Sequence, residues 1–187
     1  NLETYQSRFW LKEEFLKKIG KSSSGFLLEL FSRVDALVDQ DLVYYDHQMD
    51  METCFEKHSF HEFKWHQTPN GDMEWVFMLN RQGYLVDLAV AYYLTKEEKY
   101  LKKWKEIVFD FILENEKEIS HPEASWRVLD AGIRLMNWVK SLTYLPLSEF
   151  SEVERKHIQE AMSLHVNYIR THLQEKHLLS NWGVLAV

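Results

Sequence analysis

The sequence predicts an all-α fold of antiparallel helix pairs, and three observations carry that expectation. The 187 residues include only 3 Pro and 6 Gly, so few positions break a helix. Apolar residues recur at three- and four-residue spacing through most of the chain. Two Ser/Thr-x-x-Glu signatures, Thr95–Glu98 and Ser151–Glu154, stand where amphipathic stretches begin.

Element by element, residues 4–19 place Phe9, Phe15, Leu16 and Ile19 on one helical stripe, and "GKSSSG" (20–25) then interrupts the pattern. A second helix is expected over about 26–38, with Phe26, Leu30, Val34, Leu37 and Val38 facing inward. Residues 40–75 show no clean period; they gather His47, His58, His61 and His66 with Trp65, Trp75 and an Asn70-Gly71 turn. A long irregular segment inside a helical chain is a common place for function. "FMLNRQGYLVDLAVAYYL" (77–94) is apolar nearly all round and reads as one helix, near 78–94, buried on most sides. An amphipathic helix is expected over 97–114, with Tyr100, Trp104, Ile107, Val108 and Phe111 on its apolar stripe. A strongly apolar helix follows over 126–143. The next, over 151–173, turns Ile158, Ala161, Leu164, Tyr168 and Ile169 inward and leaves His157, His165 and His172 on a wet face. A last helix starts near Ser180. Buried helices thus alternate with amphipathic ones, as two concentric rings or a stack of helical hairpins would require.

Composition narrows the function. Apolar residues make up 45% of the chain and charged residues 27%, a balance that supports one packed domain rather than a disordered chain. The formal net charge of −7 argues against non-specific nucleic-acid binding, which needs a basic surface to displace counterions. An acidic polysaccharide would need a local cluster of Arg, His and Asn. The single Cys54 allows no internal disulfide and leaves the compartment open. No apolar run approaches the ~20 residues of a membrane span. The spacing of His58, His61 and His66 with Cys54 matches no familiar zinc module, so no metal site is expected, and surface or groove-lining histidine is the plainer account. No cofactor is expected either.

Three stretches taken in order resemble one family: "EWVFMLNRQGYLVDLAVAYYLTKEEKYLKKW" (74–104), "SWRVLDAGIRLMNW" (125–138) and "HVNYIRTHLQEKHLLSNWGVLAV" (165–187). Together they are similar to the N-terminal helical region of heparinase II/III-type polysaccharide lyases. The resemblance spans roughly 63–187, with 1–62 forming the N-terminal helices and irregular segment. It implies an incomplete (α/α) toroid with a substrate groove at one mouth, normally followed by a β-sandwich region. It also implies cleavage of a uronic-acid-containing polysaccharide, such as heparan sulfate or alginate, by β-elimination. Asn181 matches the family Asn that sits close to the substrate carboxylate; many relatives follow it with His, where this chain has Trp182. The Tyr and His usually assigned as acid and base lie beyond residue 187. Leu185, Ala186 and Val187 run on without a helix cap, so the chain is expected to stop partway through the toroid and to need the C-terminal remainder.

The chemistry suits such residues. A proton next to a carboxylate becomes removable only when polar groups stabilise the charge that builds there, and an Asn amide donates without adding charge. Arg127 and Arg134, seven residues apart, could clamp carboxylate or sulfate groups, Trp126 or Trp182 could supply a stacking wall, and His66 beside Trp65 is the best groove histidine. Plainer accounts stand beside these: Asn181 as a helix N-cap, the arginines as a solvated face, the tryptophans as core. Two further functions stay open. One is a non-catalytic glycan-binding or scaffold module. The other is a toroidal glycoside hydrolase drawing a carboxylate pair from Asp72, Glu74, Asp87 and Asp130.

Overall fold

A computed structural model describes residues 24–45, 53, 56–60, 65–115, 119 and 121–174. The expected helix over 4–19, the one near Ser180, and residues Cys54, His47, His61, Asn181 and Trp182 lie outside the described residues.

Among the described residues, six α-helices follow one another: α1 (Ser24–Gln40), α2 (Met73–Arg81), α3 (Tyr84–Thr95), α4 (Glu98–Glu114), α5 (Val128–Leu142) and α6 (Glu152–His172). Between α1 and α2 a two-residue antiparallel ladder pairs Leu42 with Ser59 and Val43 with His58. This small ladder gives part of the irregular segment a fixed place against α1. Helix α3 is central: it packs against α1, α4 and α5, and α5 in turn packs against α2 and α6. Its all-round apolar character follows, with Leu85, Leu88, Ala89 and Ala91 fully enclosed. Helix α4 is amphipathic, burying Tyr100, Trp104, Ile107, Val108 and Phe111 and turning Lys102, Glu106 and Glu114 outward. Trp104 and Trp138 are core rings; Trp104 Nε1 donates to Ser141 Oγ at 3.0 Å, so its one polar atom is satisfied inside the core.

The single helix expected over 77–94 is two. Gln82 adopts the left-handed conformation (φ 52°) and ends α2, and α3 begins two residues later. Such a break strands carbonyls of the last turn, and here side chains collect them. Arg134 Nη1 donates to Asn80 O (2.9 Å), Asn137 Nδ2 donates to Arg81 O (2.8 Å), and Tyr84 OH donates to Leu79 O (3.0 Å). The Gln82 amide is itself buried, its Oε1 accepting from Trp138 Nε1 at 2.6 Å. The break is therefore a tertiary feature, built by α5.

The two cap signatures diverge. Ser151 and Glu154 form a reciprocal capping box: Ser151 Oγ accepts from Glu154 N at 3.2 Å, and Glu154 Oε2 accepts from Ser151 N at 2.7 Å. Lys105 Nζ, 3.0 Å from Glu154 Oε1, ties this corner to α4. Thr95 does not cap α4. It is the last residue of α3; its hydroxyl donates to Ala91 O and accepts from Glu97 N, while the left-handed Lys96 (φ 61°) ends the helix. Ser151→Ala should cost about 1 kcal/mol, a fall of about 2–4 °C in melting temperature, whereas Thr95→Ala should leave the start of α4 intact; thermal melts of the two variants check this.

The inward face of α6 is largely the one expected, with Ala161 and Tyr168 packed against the core beside Ile158 and Ile169, and differs at three positions. Ile158, Met162, His165 and Ile169 are buried, while Leu164 is 37% exposed. Met162 and His165 take the inward places instead, His165 being fully enclosed.

Candidate functional site

The end of the bundle where α2 stops and α5 starts is organised by one buried arginine. Arg134 and His165 are both fully enclosed. Arg134 Nε donates to His165 Nε2 at 2.8 Å, and its Nη1 donates to two carbonyls, Asn80 O and Ser125 O. Because His165 Nε2 accepts, the ring proton sits on Nδ1, which donates to Ala161 O at 2.7 Å. The rings of Phe111 and Trp126 lie 4.3 and 4.8 Å from the guanidinium carbon, so the charge is enclosed by aromatic faces. Burial pushes the Arg134 pKa down to about 9, opposed by the nearby Asp130 carboxylate, so the group stays cationic at neutral pH. Burial, followed by the Arg134 charge, holds His165 well below the ordinary histidine range.

That depression sets a pH dependence. The unfolded chain binds a proton at this histidine below about 6.5, and the folded chain does not. Stability from this group is therefore complete above that value and falls as the solution is acidified below it, by up to about 1.4 kcal/mol per pH unit. Melts at descending pH should show the fall, and His165→Gln, which keeps an acceptor for Arg134, should flatten it.

Arg134 is wholly enclosed, and Trp126 shows only a ring at the floor of the cavity between α4 and α6. Trp126 is fully buried, with Nε1 donating to Asn115 Oδ1 at 2.7 Å and its ring 4.4 Å from that of His165. Both hold the turn 121–127 from beneath. The wet face expected for three histidines is corrected in the same way: His157 and His172 are exposed, but His165 is core, because the Arg134 fork gives it a partner there.

Arg127 is different. It lies just before α5, with its side chain one-third exposed. Its guanidinium carbon sits 3.5 Å above the Phe77 ring, and Nε lies 3.1 Å from Asp130 Oδ2. Asp130, fully buried, also accepts from Arg81 Nε at 2.8 Å. His66 is half-buried, and its ring stacks on that of His121 at 3.6 Å with the planes 20° apart. The loop bearing His66 is fixed by its neighbour Trp65, whose Nε1 donates to Asp110 and whose carbonyl accepts from Asn80 Nδ2. Asn80 therefore links the His66 loop to Arg134, and Arg134 links it to the turn 121–127. His121 carried no signal in the sequence beyond its residue type; a left-handed His before Pro122 is visible only in the fold.

The remaining candidates are committed elsewhere. Asp72 caps α2, accepting from Glu74 N at 3.0 Å, and Asp87 pairs with Arg33 at 2.9 Å. Asp130 lies between two arginines, so each of these three acids has a partner within the fold. His58 pairs with Glu56 and meets the Trp75 ring edge-on, apart from the His66–His121 stack. Among the described residues, no group of three His, Cys, Asp or Glu side chains gathers to hold a metal ion. An open cavity of about 390 Å³ lies between α4 and α6, where Phe109, Ile112, Leu113 and Leu164 meet Trp126, Asn115, His157 and the acidic Glu160. No helix among the described residues is long and apolar enough to cross a membrane.

The packed helix pairs make an incomplete (α/α) toroid. The chain belongs to the heparinase II/III N-terminal family, whose model matches residues 24–185. Over 99% of its length it is similar to the heparan sulfate lyase HepC from Pedobacter heparinus, with a TM-score of 0.70 and 18% sequence identity. It is also similar, over 99% of its length, to a heparinase III gene product, with a TM-score of 0.69 and 19% identity. It spans 29% of each of those two chains, and at such identities the likeness establishes the fold. A comparison with the curated proteins gives no match.

Proposed function

We propose that this chain is the N-terminal helical part of a polysaccharide lyase that cleaves a uronic-acid-containing polysaccharide by β-elimination. The observation that carries the reading is the family match over residues 24–185. The heparan sulfate lyase among the similar structures favours a heparan sulfate-like substrate over an alginate-like one.

In the proposed reaction a base removes the proton on the carbon beside the uronate carboxylate. The electron pair forms a new carbon–carbon double bond as the glycosidic carbon–oxygen bond on the adjacent carbon breaks, and an acid protonates the departing oxygen. Asn181 donates to the carboxylate as charge builds on it. Arg127, one-third exposed above Phe77, and His66 face the acidic chain, and Trp182 supplies a wall. Arg134 and Trp126 act from below, holding the turn that carries Arg127. The acid and base belong to the C-terminal remainder of the protein, consistent with a chain that spans less than a third of the similar structures.

The test is direct. The full-length protein should release unsaturated uronate product from heparan sulfate, followed by ultraviolet absorbance, while residues 1–187 alone should release none. Product from the isolated chain would overturn the division of roles, and no product from the full-length protein on either polysaccharide would overturn the lyase reading.

A further inference from the structure

We infer that His121, stacked on His66 and followed closely by Arg127, forms a subsite for the carboxylate or sulfate of an acidic sugar, with His121 as its specificity-determining residue; this rests on the polysaccharide reading above. Three observations converge on the pair. His121 holds a positive φ of 51° and precedes Pro122, a position that disfavours helical backbone and pushes residues towards extended conformations. The fold maintains that strained geometry deliberately: His121 O accepts from Ala124 N, Ser125 N and Ser125 Oγ, and Ser125 O is gripped by buried Arg134. The partner imidazole arrives from a separate loop, anchored through Trp65 to Asn80, whose own carbonyl Arg134 also grips. One buried fork thus sets both rings, 3.6 Å apart.

Such anchoring is more than a turn needs. Glycine would adopt the same φ without strain, and this chain holds a histidine there instead. Its side chain is 44% exposed, and Nδ1 lies 3.5 Å from Glu123 Oε1, too long for a strong hydrogen bond and on a partner that is 71% exposed. The imidazole N–H is therefore available to an incoming oxyanion. Arg127 follows two residues after the gripped Ser125 and adds a permanent cation one-third exposed. In a chain with a net charge of −7, the exposed His121 imidazole, backed by the His66 ring, and Arg127 on the same turn are donors suited to an anionic sugar.

The experiment uses the full-length protein with a size-defined heparan sulfate oligosaccharide, reading cleavage kinetics, direct binding by calorimetry, and melting temperature. His121→Gly should raise KM, or weaken binding, about tenfold with kcat little changed and a melting temperature at or above the parent's, because the strain is relieved. His66→Ala should weaken binding similarly. His121→Asn, which tolerates the left-handed backbone and still donates, should keep most of the affinity. A parent that cleaves or binds the oligosaccharide, with both His121→Gly and His66→Ala indistinguishable from it, overturns the subsite and leaves the lyase reading standing. Weakened binding that tracks a fall in melting temperature in both variants also overturns it, since the pair then serves the fold. A parent that neither cleaves nor binds overturns both.

Discussion

Replacing Arg134 by methionine is expected to remove a large share of the domain's stability. The guanidinium satisfies three buried acceptors at once: His165 Nε2, Asn80 O and Ser125 O. Methionine fills much of the same volume and donates to none of them. Each stranded buried acceptor costs about 1–3 kcal/mol, so the three together cost on the order of 5 kcal/mol. Against a typical total of about 5–15 kcal/mol, that leaves the fold marginal. The loss is not confined to one contact. Asn80 O is free of its helical partner only because α2 breaks at Gln82, so the break itself loses its support. Arg134→Lys should recover little, because one ammonium cannot match a planar fork aimed in three directions. Chemical denaturation of the variants reads the result, and a loss below about 1 kcal/mol for the methionine variant would mean that the fork is not what holds this end of the bundle.

This arginine also shows why the site was only partly legible. The seven-residue spacing of Arg127 and Arg134 predicts one shared helix face, open either to a ligand or to solvent. Periodicity gives an azimuth on a helix, and it does not say which azimuth is wet. Arg134 is inside because His165 and two carbonyls meet it there; Arg127 lies before the helix begins, so the seven-residue rule does not apply to it. His165 misled for the complementary reason. A histidine on an amphipathic helix reads as polar, and only the Arg134 fork makes its burial affordable. The outward Leu164 beside it is the one departure among the residues expected on the apolar stripe.

The fold was more legible than the site, wherever local physics decides. The apolar stripe of α4 and the Ser151–Glu154 box mark their elements correctly because both depend on residues three or four apart. The break at Gln82 has no comparable local signal. Glutamine is not a residue that prefers the left-handed region, and the apolar run continues on both sides of it. What stabilises the break lies about fifty-five residues away in sequence, on Arg134, Asn137 and Trp138. Thr95 is the reverse case: it fits the Thr-x-x-Glu pattern, yet its hydroxyl closes the helix before rather than opening the helix after. Short motifs state which hydrogen bonds are available, and packing selects among them.

The largest expected effect on activity belongs to Asn181, which lies outside the described residues. In the proposed lyase, Asn181→Ala in the full-length protein should lower kcat by about a hundredfold or more, the loss typical of one donor aimed at developing charge. KM should change much less, because the amide's hydrogen bond strengthens only as the carboxylate gains charge in the transition state. A helix N-cap at the same position predicts the opposite pattern. The substitution would then cost about 1 kcal/mol of stability and leave kcat nearly intact. Kinetics and melting temperature taken on one preparation separate the two, and a destabilised variant with full activity rules out the catalytic role. Trp182 supplies the control beside it. Trp182→His installs the residue that many relatives carry at this place. If the position lines a groove, the swap should leave the fold intact and alter only affinity. A buried ring at 182 would instead lose about 3–5 kcal/mol on truncation to a small side chain, with histidine recovering only part of it. A stable Trp182→His protein, together with a cold but folded Asn181→Ala protein, would place both side chains at the substrate rather than in the core.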